Sequence, residues 1–521
     1  MTKSFLAFCQ MLLLLVLFLT FNSCSKDSDI FYESISEEID DNIGGGNSGE
    51  GGQEQPDGSG DDSANKDDVI SSELKAFPTA YGAGAYATGG RGGNVYHVTN
   101  LNNSGEGSFR WALGQPRPAT IVFDVSGTIE LTSWLTVTGR DLTIAGQTAP
   151  VGGITITTTN YSRFLFDEVE NIIIRYIRIR MKDSPSVALD VYGNRGVARN
   201  LMFDHMSISY GGLQAFVIRG NESRYVTFQK GLIAESKTGA LFGDSQDHHF
   251  SQDNSFINNL FYNVSHRLPN SGSNGRVDHI NNVIQNWKFR LSFVNGDIKL
   301  NQINNYYCAG GRNSLGTGQK NVNALNSWHD NQIYTAGNIV DKGLFPDPDA
   351  DNRQLWVEFD AGVQTDYAPA SEFVDTPYEI LGPPMPIKTA REAYEEIVNN
   401  PDVGANASLN GNGTIVYSPD ANDREYLEVV AGGEGSYEPY TTGNNGSDRS
   451  FYFEQRYINF LGGISSNPIN SRSYDYDTDF DGMPDVWERS KFGDLSRNGK
   501  EDHDGDGYSD LEEFLNLVDV D

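Results

Sequence analysis

The sequence predicts an all-β protein: a right-handed, single-stranded parallel β-helix followed by a small calcium-binding loop module. The first observation is a series of short β-rich runs between residues 120 and 303, each about one strand long, with no amphipathic helix between them. The second is the spacing of 23 residues between Asn258-Asn259, Asn281-Asn282 and Asn304-Asn305. One coil of three short strands needs about this much chain, and stacked asparagines can hydrogen-bond along the stack. The third is a pair of aspartate-rich loops near the C-terminal end.

Residues 1–24 are typical of a lipoprotein signal peptide. Lys3 gives a basic start, Leu6 to Thr20 are almost entirely apolar, and the run ends at Ser23-Cys24. That length suits a signal-peptide core and is short for a transmembrane helix. We expect lipidation at Cys24, with ordinary secretory cleavage as the alternative. Either route crosses the inner membrane, and lipidation would make the protein an outer-membrane or cell-surface lipoprotein that touches the membrane only through its anchor.

Residues 25–72 predict a flexible linker, because they are rich in Gly, Ser and Asp and have too few aliphatic side chains to form a core. The formal net charge of -33 argues against nucleic acid as a partner. Residues 25–75 hold 15 Asp and Glu against 3 Lys, and residues 473–521 hold 16 against 4 Lys and Arg. Because the charge is concentrated at these ends, the region between them can still contain a basic cleft.

Residues 76–472 are predicted to form the β-helix as a monomer. Antiparallel propellers or sandwiches would favour Asn-Gly and Asp-Gly hairpin turns, which are scarce here. The glycine-rich residues 81–93 do not make a phosphate loop, because no Gly-Lys-Ser/Thr sequence and no βαβ pattern follow. Thr389 is expected to cap a helix over residues 389–399, with Glu392 three residues further on.

A few polar side chains in this region have simple structural interpretations. Cys308 is expected to be a buried apolar residue, since a single thiol cannot form a disulfide framework. Asp204-His205 is expected to be a buried hydrogen-bonded pair. A cluster between residues 244 and 249 could hold a metal ion but is more typical of an exposed loop; its members are Asp244, Asp247, His248 and His249.

The two aspartate-rich loops predict calcium sites. Each places acidic side chains at positions 1, 3, 5, 9 and 12 of a twelve-residue loop, with glycine at position 6. Calcium prefers six to eight oxygen ligands, a sharp glycine turn and a final bidentate carboxylate. The predicted ligands are Asp477, Asp479, Asp481, Asp485 and Glu488 in the first loop and Asp502, Asp504, Asp506, Asp510 and Glu513 in the second. Trp487, Phe492, Leu511, Phe514 and Leu515 are expected to pack the loops together.

Several motifs occur in an order that resembles the secreted bacterial pectate lyases of polysaccharide lyase family 1. The resemblance covers roughly residues 76–430, and a C-terminal calcium module of EF-hand or thrombospondin type 3 character is a common companion. The motifs are Phe77 to Leu113, Thr120 to Glu130, Thr143 to Pro150, Phe203 to Ser209 and His266 to Pro269.

The resemblance implies β-elimination on polygalacturonate or a related polyuronate, with calcium assistance. It implies that Arg267, in the sequence His266-Arg267-Leu268-Pro269, is the catalytic residue. An arginine normally stays protonated, so we expect Arg267 to contact the reacting sugar and to stabilise or accept charge. Lys237, Arg276 and His266 are implied substrate-binding residues, with Lys237 about one coil from Arg267.

The chain departs from the family pattern in its cleft. Gly272 stands where relatives often have a second arginine, and Val187 and Gln214 stand where they have calcium-binding carboxylates. Asp190 and Asp204 are therefore only weak candidates for a cleft calcium site. These departures keep two alternatives open: a non-catalytic glycan-binding β-helix, and a β-helical glycoside hydrolase, which would need a close pair of carboxylates.

Overall fold

The computed structural model describes residues 74–158, 163–181, 187–193, 196–211, 214–236, 238–243, 250–264, 266–287, 291–308, 323–326, 329–341, 343–360, 363–432 and 469–519. The chain divides into two units. The larger comprises Ser72–Glu358 and Asp366–Asp521 and holds the β-helix. The predicted signal peptide, Cys24 and the whole predicted linker lie outside the described residues.

The chain forms a parallel β-helix, as predicted, and its strands stack in three columns. Column I consists of β1 (Asn94–Val98), β2 (Ala119–Phe123), the second halves of β4 (Leu135–Ala145) and β6 (Phe164–Arg175), β9 (Ala198–Asp204), β12 (Ser223–Gln229), β15 (Gln252–Ile257), β18 (Arg276–Ile280), β21 (Lys299–Ile303) and β24 (Gln332–Ala336). Column II consists of β3 (Gly127–Leu131), β5 (Ile154–Thr158), β7 (Ile177–Met181), β10 (Ser207–Ser209), β13 (Leu232–Ala234), β16 (Leu260–Tyr262), β19 (Val283–Gln285), β22 (Tyr306–Cys308) and β25 (Ile339–Val340).

Column III begins with the first halves of β4 and β6, so these two long strands join columns I and III into one sheet. It continues through β8 (Leu189–Tyr192), β11 (Gln214–Arg219), β14 (Thr238–Phe242), β17 (Asn270–Gly272), β20 (Phe293–Asn295), β23 (Asn323–Leu325) and β26 (Trp356–Asp360). The remaining strands are β27 (Val363–Tyr367) and the antiparallel pair β28 (Ala407–Leu409) and β29 (Ile415–Tyr417).

The helices are short and lie outside the columns. They are α1 (Phe109–Leu113), α2 (Ala390–Asn399), α3 (Ala421–Gly432), α4 (Asp485–Lys491) and α5 (Asp510–Leu515), with 3-10 turns at Gly146–Thr148, Asn352–Leu355, Ala370–Glu372 and Asn516–Val518. The predicted helix after Thr389 is confirmed, and Thr389 and Glu392 form a capping box. Among the described residues, none of the helices has the length and apolar character that a membrane span needs.

The predicted 23-residue period sets the register of the middle coils. Val277 of β18 pairs with Leu300 of β21, and Asn254 pairs with Val277 in the coil before. At the corner between columns I and II the asparagines stack: Asn259 Nδ2 donates to Asn282 Oδ1 (2.9 Å), and Asn282 Nδ2 donates to Asn305 Oδ1 (3.0 Å). Each rung therefore satisfies the amide groups of the rung beside it.

The inside of the β-helix is filled by apolar and aromatic side chains. Phe203, Phe216, Phe228 and Phe256 stack in successive contacts with ring centroids 5.0 to 5.3 Å apart, and all are fully buried. Burying such a side chain contributes roughly 1.5–3 kcal/mol each, so the stack is a main source of stability. Cys308 is buried, as predicted.

Terminal segments cover the outer face of column I. The glycine-rich residues 81–93 lie flat on it: Gly84 N–H donates to Thr227 Oγ1 (2.8 Å), and Gly90 N–H donates to Thr143 Oγ1 (2.9 Å). A Cβ on Gly84 would lie 2.2 Å from the Leu201 carbonyl oxygen, so the glycines allow this close approach. Their role is thus packing, which the sequence had left without an assignment.

A different segment covers column II. Arg180 of β7 is fully buried and donates to both Asp420 (3.1 Å), just before α3, and Asp423 (2.6 Å) in its first turn. Tyr394 of α2 stacks on Tyr306 of β22 with ring centroids 4.5 Å apart. The described contacts of these covering segments are with columns I and II.

Candidate active site

Arg267 lies at the corner between columns II and III, in the turn that joins β16 to β17. Its backbone is left-handed, with φ of 62°, a conformation that costs a non-glycine residue roughly 1–3 kcal/mol. The turn is held in place: the Arg267 carbonyl accepts from Ala240 N–H (2.7 Å), and Leu268 N–H donates to the Leu291 carbonyl (2.8 Å). The side chain is 6% exposed. A buried arginine in a strained, fixed turn is a feature of functional sites.

Gly239, one coil away, supports this turn, and the sequence analysis missed its role. Gly239 N–H donates to the His266 carbonyl (2.9 Å), and a Cβ at Gly239 would lie 2.3 Å from the Arg267 carbonyl oxygen. The backbone of β14 can approach the Arg267 turn only because this residue has no side chain.

The three implied substrate-binding residues lie in different places. His266 is buried beside Arg267. Lys237 lies outside the described residues, but β14, which starts at the next position, is hydrogen-bonded to the Arg267 turn. Arg276 begins β18 in column I, so the three-residue strand β17 lies between it and the Arg267 turn along the chain, and its Nε is 3.7 Å from Asp253 Oδ1.

A second group of left-handed residues occupies the same corner in neighbouring coils. Tyr210, Glu235, Asn263 and Asn286 all have positive φ, and each leads the chain out of column II. Asn286 Nδ2 donates to Asn263 Oδ1 (3.2 Å), and Asn263 Nδ2 donates to Glu235 Oε1 (3.3 Å). Tyr426 of α3 donates to Glu235 Oε2 (3.0 Å). This network fixes the coils from which Arg267 projects, and no short motif in the sequence indicates it.

Asp190 and Asp204, the two weak candidates for a cleft calcium site, lie on different columns. Asp190 is buried on column III, where its Oδ2 accepts from Arg219 Nη2 (2.7 Å) and lies 3.6 Å from Arg163 Nη1. Two arginines thus face one oxygen of Asp190, whereas its buried Oδ1 has no hydrogen-bond partner. Arg219 also lies over the ring of Tyr192, 5.0 Å from its centroid.

Asp204 lies elsewhere, at the end of β9 in column I, and forms the buried pair with His205 that was predicted. His205 Nδ1 is 2.8 Å from Asp204 and its Nε2 is 3.0 Å from Asp402. Arg175 Nε donates to Asp204 (2.7 Å) and Lys230 Nζ donates to Asp402 (2.6 Å). The two carboxylates outweigh burial and raise the pKa of His205. The charges of His205 and Arg175 outweigh burial and keep the pKa of Asp204 well below its usual value.

Within the described residues, groups of three or more side chains that could hold a metal ion occur in the C-terminal loops and not at the Arg267 corner. Val187 and Gln214 are buried at the positions where the resemblance implied carboxylates. The described residues of this corner therefore do not fit a calcium ion held by protein carboxylates. The predicted metal cluster of Asp244, Asp247, His248 and His249 lies outside the described residues.

The first C-terminal loop, Asp477 to Glu488, brings its predicted ligands together. Asp477, Asp479 and Asp485 place oxygens within 4.8 Å of one another, and so do Asp479, Asp481 and Glu488. Burial and the neighbouring carboxylates raise the pKa of Asp481 to about 7 and that of Glu488 to about 8. Such crowding of acidic groups fits a bound cation.

The second C-terminal loop, Asp502 to Glu513, brings together only the first three of its predicted ligands, Asp502, Asp504 and Asp506, and all three are exposed. The other two have basic partners: Asp510 is paired with Arg497, and Glu513 lies 3.0 Å from Lys491 Nζ. The predicted apolar contacts between the loops are present, since Trp487 packs on Phe492 and Phe514 and since Leu511 and Leu515 belong to the same cluster.

Comparison with known proteins gives the family. No family model matches the chain. A protein of Emericella nidulans named "Probable pectate lyase C" is 32% identical over 346 residues, which are 65% of this chain and 74% of that protein. The chain belongs to the pectate lyase family.

Other members of the pectate lyase family match shorter stretches. The protein of the same name from Aspergillus flavus is 39% identical over 246 residues, which cover 46% of this chain and 56% of the relative, so the chain spans little more than half of it. These relatives are fungal, whereas the motifs suggested a bacterial group. A pectin lyase of Pectobacterium carotovorum is 26% identical over 247 residues, 42% of this chain and 72% of that protein.

Solved structures with a similar course of the chain include the following two. The cedar pollen allergen jun a 1 has a TM-score of 0.46 and 16% identity, covering 62% of this chain and 92% of its own. The pectate lyase Bsp165PelA from Bacillus sp. N165, in complex with trigalacturonate, has a TM-score of 0.39 and 14% identity, covering 62% of this chain and 99% of its own.

Proposed function

We propose that this protein is a polysaccharide lyase that cleaves polygalacturonate, or a related polyuronate, by β-elimination at the Arg267 corner. The observation that carries the proposal is Arg267 itself, a buried guanidinium on a left-handed backbone, in a turn that hydrogen bonds to the neighbouring coils hold in place. The names of the relatives in the family support the substrate class.

The reaction requires removal of the proton on C5 of a uronate and cleavage of the bond between C4 and the glycosidic oxygen. The electron pair of the C5–H bond forms the C4–C5 double bond, and the leaving oxygen gains a proton. Negative charge develops on the uronate carboxylate in this step, and a fixed guanidinium stabilises it more strongly than water does because it needs no reorganisation. Arg267 therefore contacts the reacting sugar, and its planar fork suits a carboxylate.

His266 and Lys237 are assigned to substrate binding in this proposal. The assignment rests on their positions in the chain: His266 precedes Arg267, and Lys237 precedes the strand that is hydrogen-bonded to the Arg267 turn. Arg276 is given no part, since it begins β18 beyond β17 and lies 3.7 Å from Asp253. Calcium assistance is retained as an expectation for the reaction, but no step is assigned to the ion.

A second candidate function, a glycan-binding protein without catalysis, is favoured by one observation. Asp190, the acidic side chain of column III that sequence reasoning offered as a cleft ligand, is already neutralised by Arg219. A cleft without a cation would bind a uronate chain through its arginines and release it unchanged.

The deciding experiment incubates the full chain with polygalacturonate and calcium and follows the ultraviolet absorbance of the unsaturated product. We expect absorbance to rise. Retention on a polygalacturonate gel with no absorbance on any uronate polymer would establish the binding protein instead. New reducing ends without a double bond would establish the hydrolase.

We further propose that Cys24 is lipidated and that the protein is held at a membrane surface by this anchor alone. The apolar run that ends at Cys24 supports this. Cells that express the chain should incorporate labelled palmitate into it, and Cys24→Ala should abolish the labelling; equal labelling of both forms would contradict the proposal.

A further inference from the structure

The first C-terminal loop contains carboxylate oxygens that are buried and lack a hydrogen-bond partner. Glu488 is 0% exposed, and neither of its side-chain oxygens has a partner. Asp477 Oδ1 and Asp481 Oδ2 are likewise buried without one. Leaving a charged oxygen in such a position costs several kcal/mol, on the order of 3–5, unless a cation compensates it. Four such oxygens in one loop point to a ligand.

The geometry of this loop suits one hard divalent ion. Asp479 belongs to both groups of converging carboxylates, so the two groups form one cluster of five acidic side chains. Gly482, at position 6, has φ of 92° and donates its N–H to Asp477 Oδ2 (2.9 Å), which closes the loop around the cluster. Calcium accepts this number of oxygens with flexible geometry, whereas magnesium demands a stricter octahedron.

The β-helix itself supplies one wall of the cluster. His97 of β1 is held by Asp124, with 2.9 Å between Nδ1 and Oδ2, and its Nε2 lies 3.5 Å from Asp477 Oδ2. Phe480 packs edge-on against the His97 ring, with centroids 5.5 Å apart. The loop is therefore seated on the first coil of column I.

Further contacts join the same coil to the chain that enters the loop. Val125, just after β2, forms an antiparallel bridge with Ser471, and Arg472 N–H donates to the Asp124 carbonyl (2.7 Å). The loop and its approach thus cover the edge of β1 and β2, where the stack of column I begins among the described residues.

The second loop differs in the features that matter for an ion. Its converging carboxylates are exposed, and the glutamate at position 12, which would have to bind through both oxygens, is paired with Lys491. No side-chain oxygen of its five predicted ligands is buried without a partner. An exposed acidic cluster of this kind is stable in water without a metal.

We propose that the first loop binds one calcium ion that fastens the C-terminal segment to the first coil of the β-helix, and that the second loop binds no ion of comparable affinity. The two loops match equally well by sequence, so this inequality is a property of the fold. The proposal is independent of the lyase activity and can fail or hold without it.

Its first test is stoichiometry. Chelator-treated full chain is titrated with calcium by calorimetry and with terbium by luminescence, which Trp487, next to Glu488 in α4, can sensitise. We expect the wild type to bind one calcium ion tightly. Glu488→Gln should lower the affinity of this site about 100-fold or more, and the matched variant Glu513→Gln should retain it. Two tight equivalents, or equal loss in both variants, would overturn the proposal. Magnesium at the same concentration should not substitute.

Its second test is location, by hydrogen exchange with and without calcium. Removal of calcium should speed amide exchange in β1 and β2 at least tenfold and leave β18 and β21, several coils away, unchanged. Glu488→Gln with calcium should match the calcium-free wild type, which also shows that the variant folds. Unchanged exchange in β1 and β2, or a uniform change in all coils, would contradict a local fastening.

Discussion

The two corners that flank column II differ in a way that separates structure from function. At the corner between columns I and II, each coil repeats its neighbour, and Asn259, Asn282, Asn305 and Asn338 form a continuous chain of amide hydrogen bonds. At the corner between columns II and III the left-handed exits from column II also repeat, at Tyr210, Glu235, Asn263 and Asn286, but one coil adds a second left-handed residue, Arg267. The repeated asparagines satisfy backbone and amide groups, whereas Arg267, which departs from the repeat, places a charge at its corner.

The comparison predicts opposite effects of mutation at the two corners. A change in the asparagine ladder should lower stability and leave the chemistry of the folded protein intact. A change in the Arg267 turn should lower turnover more than stability.

The largest effect is expected for Arg267→Ala. Loss of the guanidinium should lower kcat/KM on polygalacturonate by about 10³-fold or more, since a preorganised charge at the reacting group contributes on the order of 3–4 kcal/mol. Steady-state absorbance kinetics measure this. Arg276→Ala is the matched control, because Arg276 begins β18 beyond β17 and lies 3.7 Å from Asp253, and it should change kcat/KM less than about fivefold. Equal losses of kcat/KM in both variants would contradict the role assigned to Arg267.

Asn282→Ala should be the next largest change. Asn282 Nδ2 donates to the Phe256 carbonyl (3.0 Å) and to Asn305, and its Oδ1 accepts from Asn259 N–H (3.1 Å). Their loss leaves buried groups unsatisfied, so the free energy of unfolding should fall by about 2–4 kcal/mol with kcat unchanged. Urea unfolding gives the value, with exposed Asn102→Ala as a neutral control. A shift below about 0.5 kcal/mol would show that the ladder does not stabilise the fold.

Gly239→Ala tests how firmly the Arg267 turn is positioned. A Cβ would lie 2.3 Å from the Arg267 carbonyl oxygen, so one of the two backbones must move. A displacement near 1 Å at a catalytic group can cost about 10²-fold in rate, and kcat should fall by roughly that amount. Gly432→Ala, at the end of α3 with open space around its Cα, should behave as wild type. Wild-type kcat in Gly239→Ala would mean that the turn is not critically placed.

The effect that is smallest near neutral pH concerns His279, whose carbonyl accepts from Asn305 Nδ2 (2.9 Å) in the ladder. Burial lowers the pKa of His279 to about 3, so the folded state holds it neutral. The unfolded state binds a proton below about pH 6.5, so stability from this group is complete above that pH and is lost as the pH falls towards 3. Between these two pH values the free energy of unfolding should fall by about 1.4 kcal/mol for each unit by which the pH is lowered.

Urea unfolding between pH 7 and pH 4 of wild type and His279→Gln measures this contribution as a difference. The variant should lose stability less steeply with acid than the wild type. Parallel curves would show that His279 titrates normally in the folded protein.

The sequence allowed prediction of what repeats. The 23-residue spacing gave the register of Asn259, Asn282 and Asn305, and the loop pattern gave the acidic cluster at residues 477–488. The 23-residue spacing did not predict that the asparagine ladder continues to Asn338, because 33 residues separate Asn338 from Asn305. Longer turns interrupt the period without interrupting the stack.

What could not be predicted depends on contacts between distant parts of the chain. Arg276 was grouped with Arg267 because they are close in sequence, yet β17 separates the turn that holds Arg267 from the strand that Arg276 begins. Asp190 was offered to a metal, but Arg219 of the next coil neutralises it. The support that Tyr426 gives to Glu235 joins residues 191 positions apart, and no local pattern indicates such a contact.

The most direct test of the account is a crystal structure of Arg267→Ala with bound oligogalacturonate. We predict a sugar chain on the outer face of column III, with one uronate carboxylate at the turn formed by residues 266–269. An oligosaccharide seated elsewhere, for example in the groove lined by Arg353, Asp375 and Arg391 near the last coil, with column III empty, would contradict it.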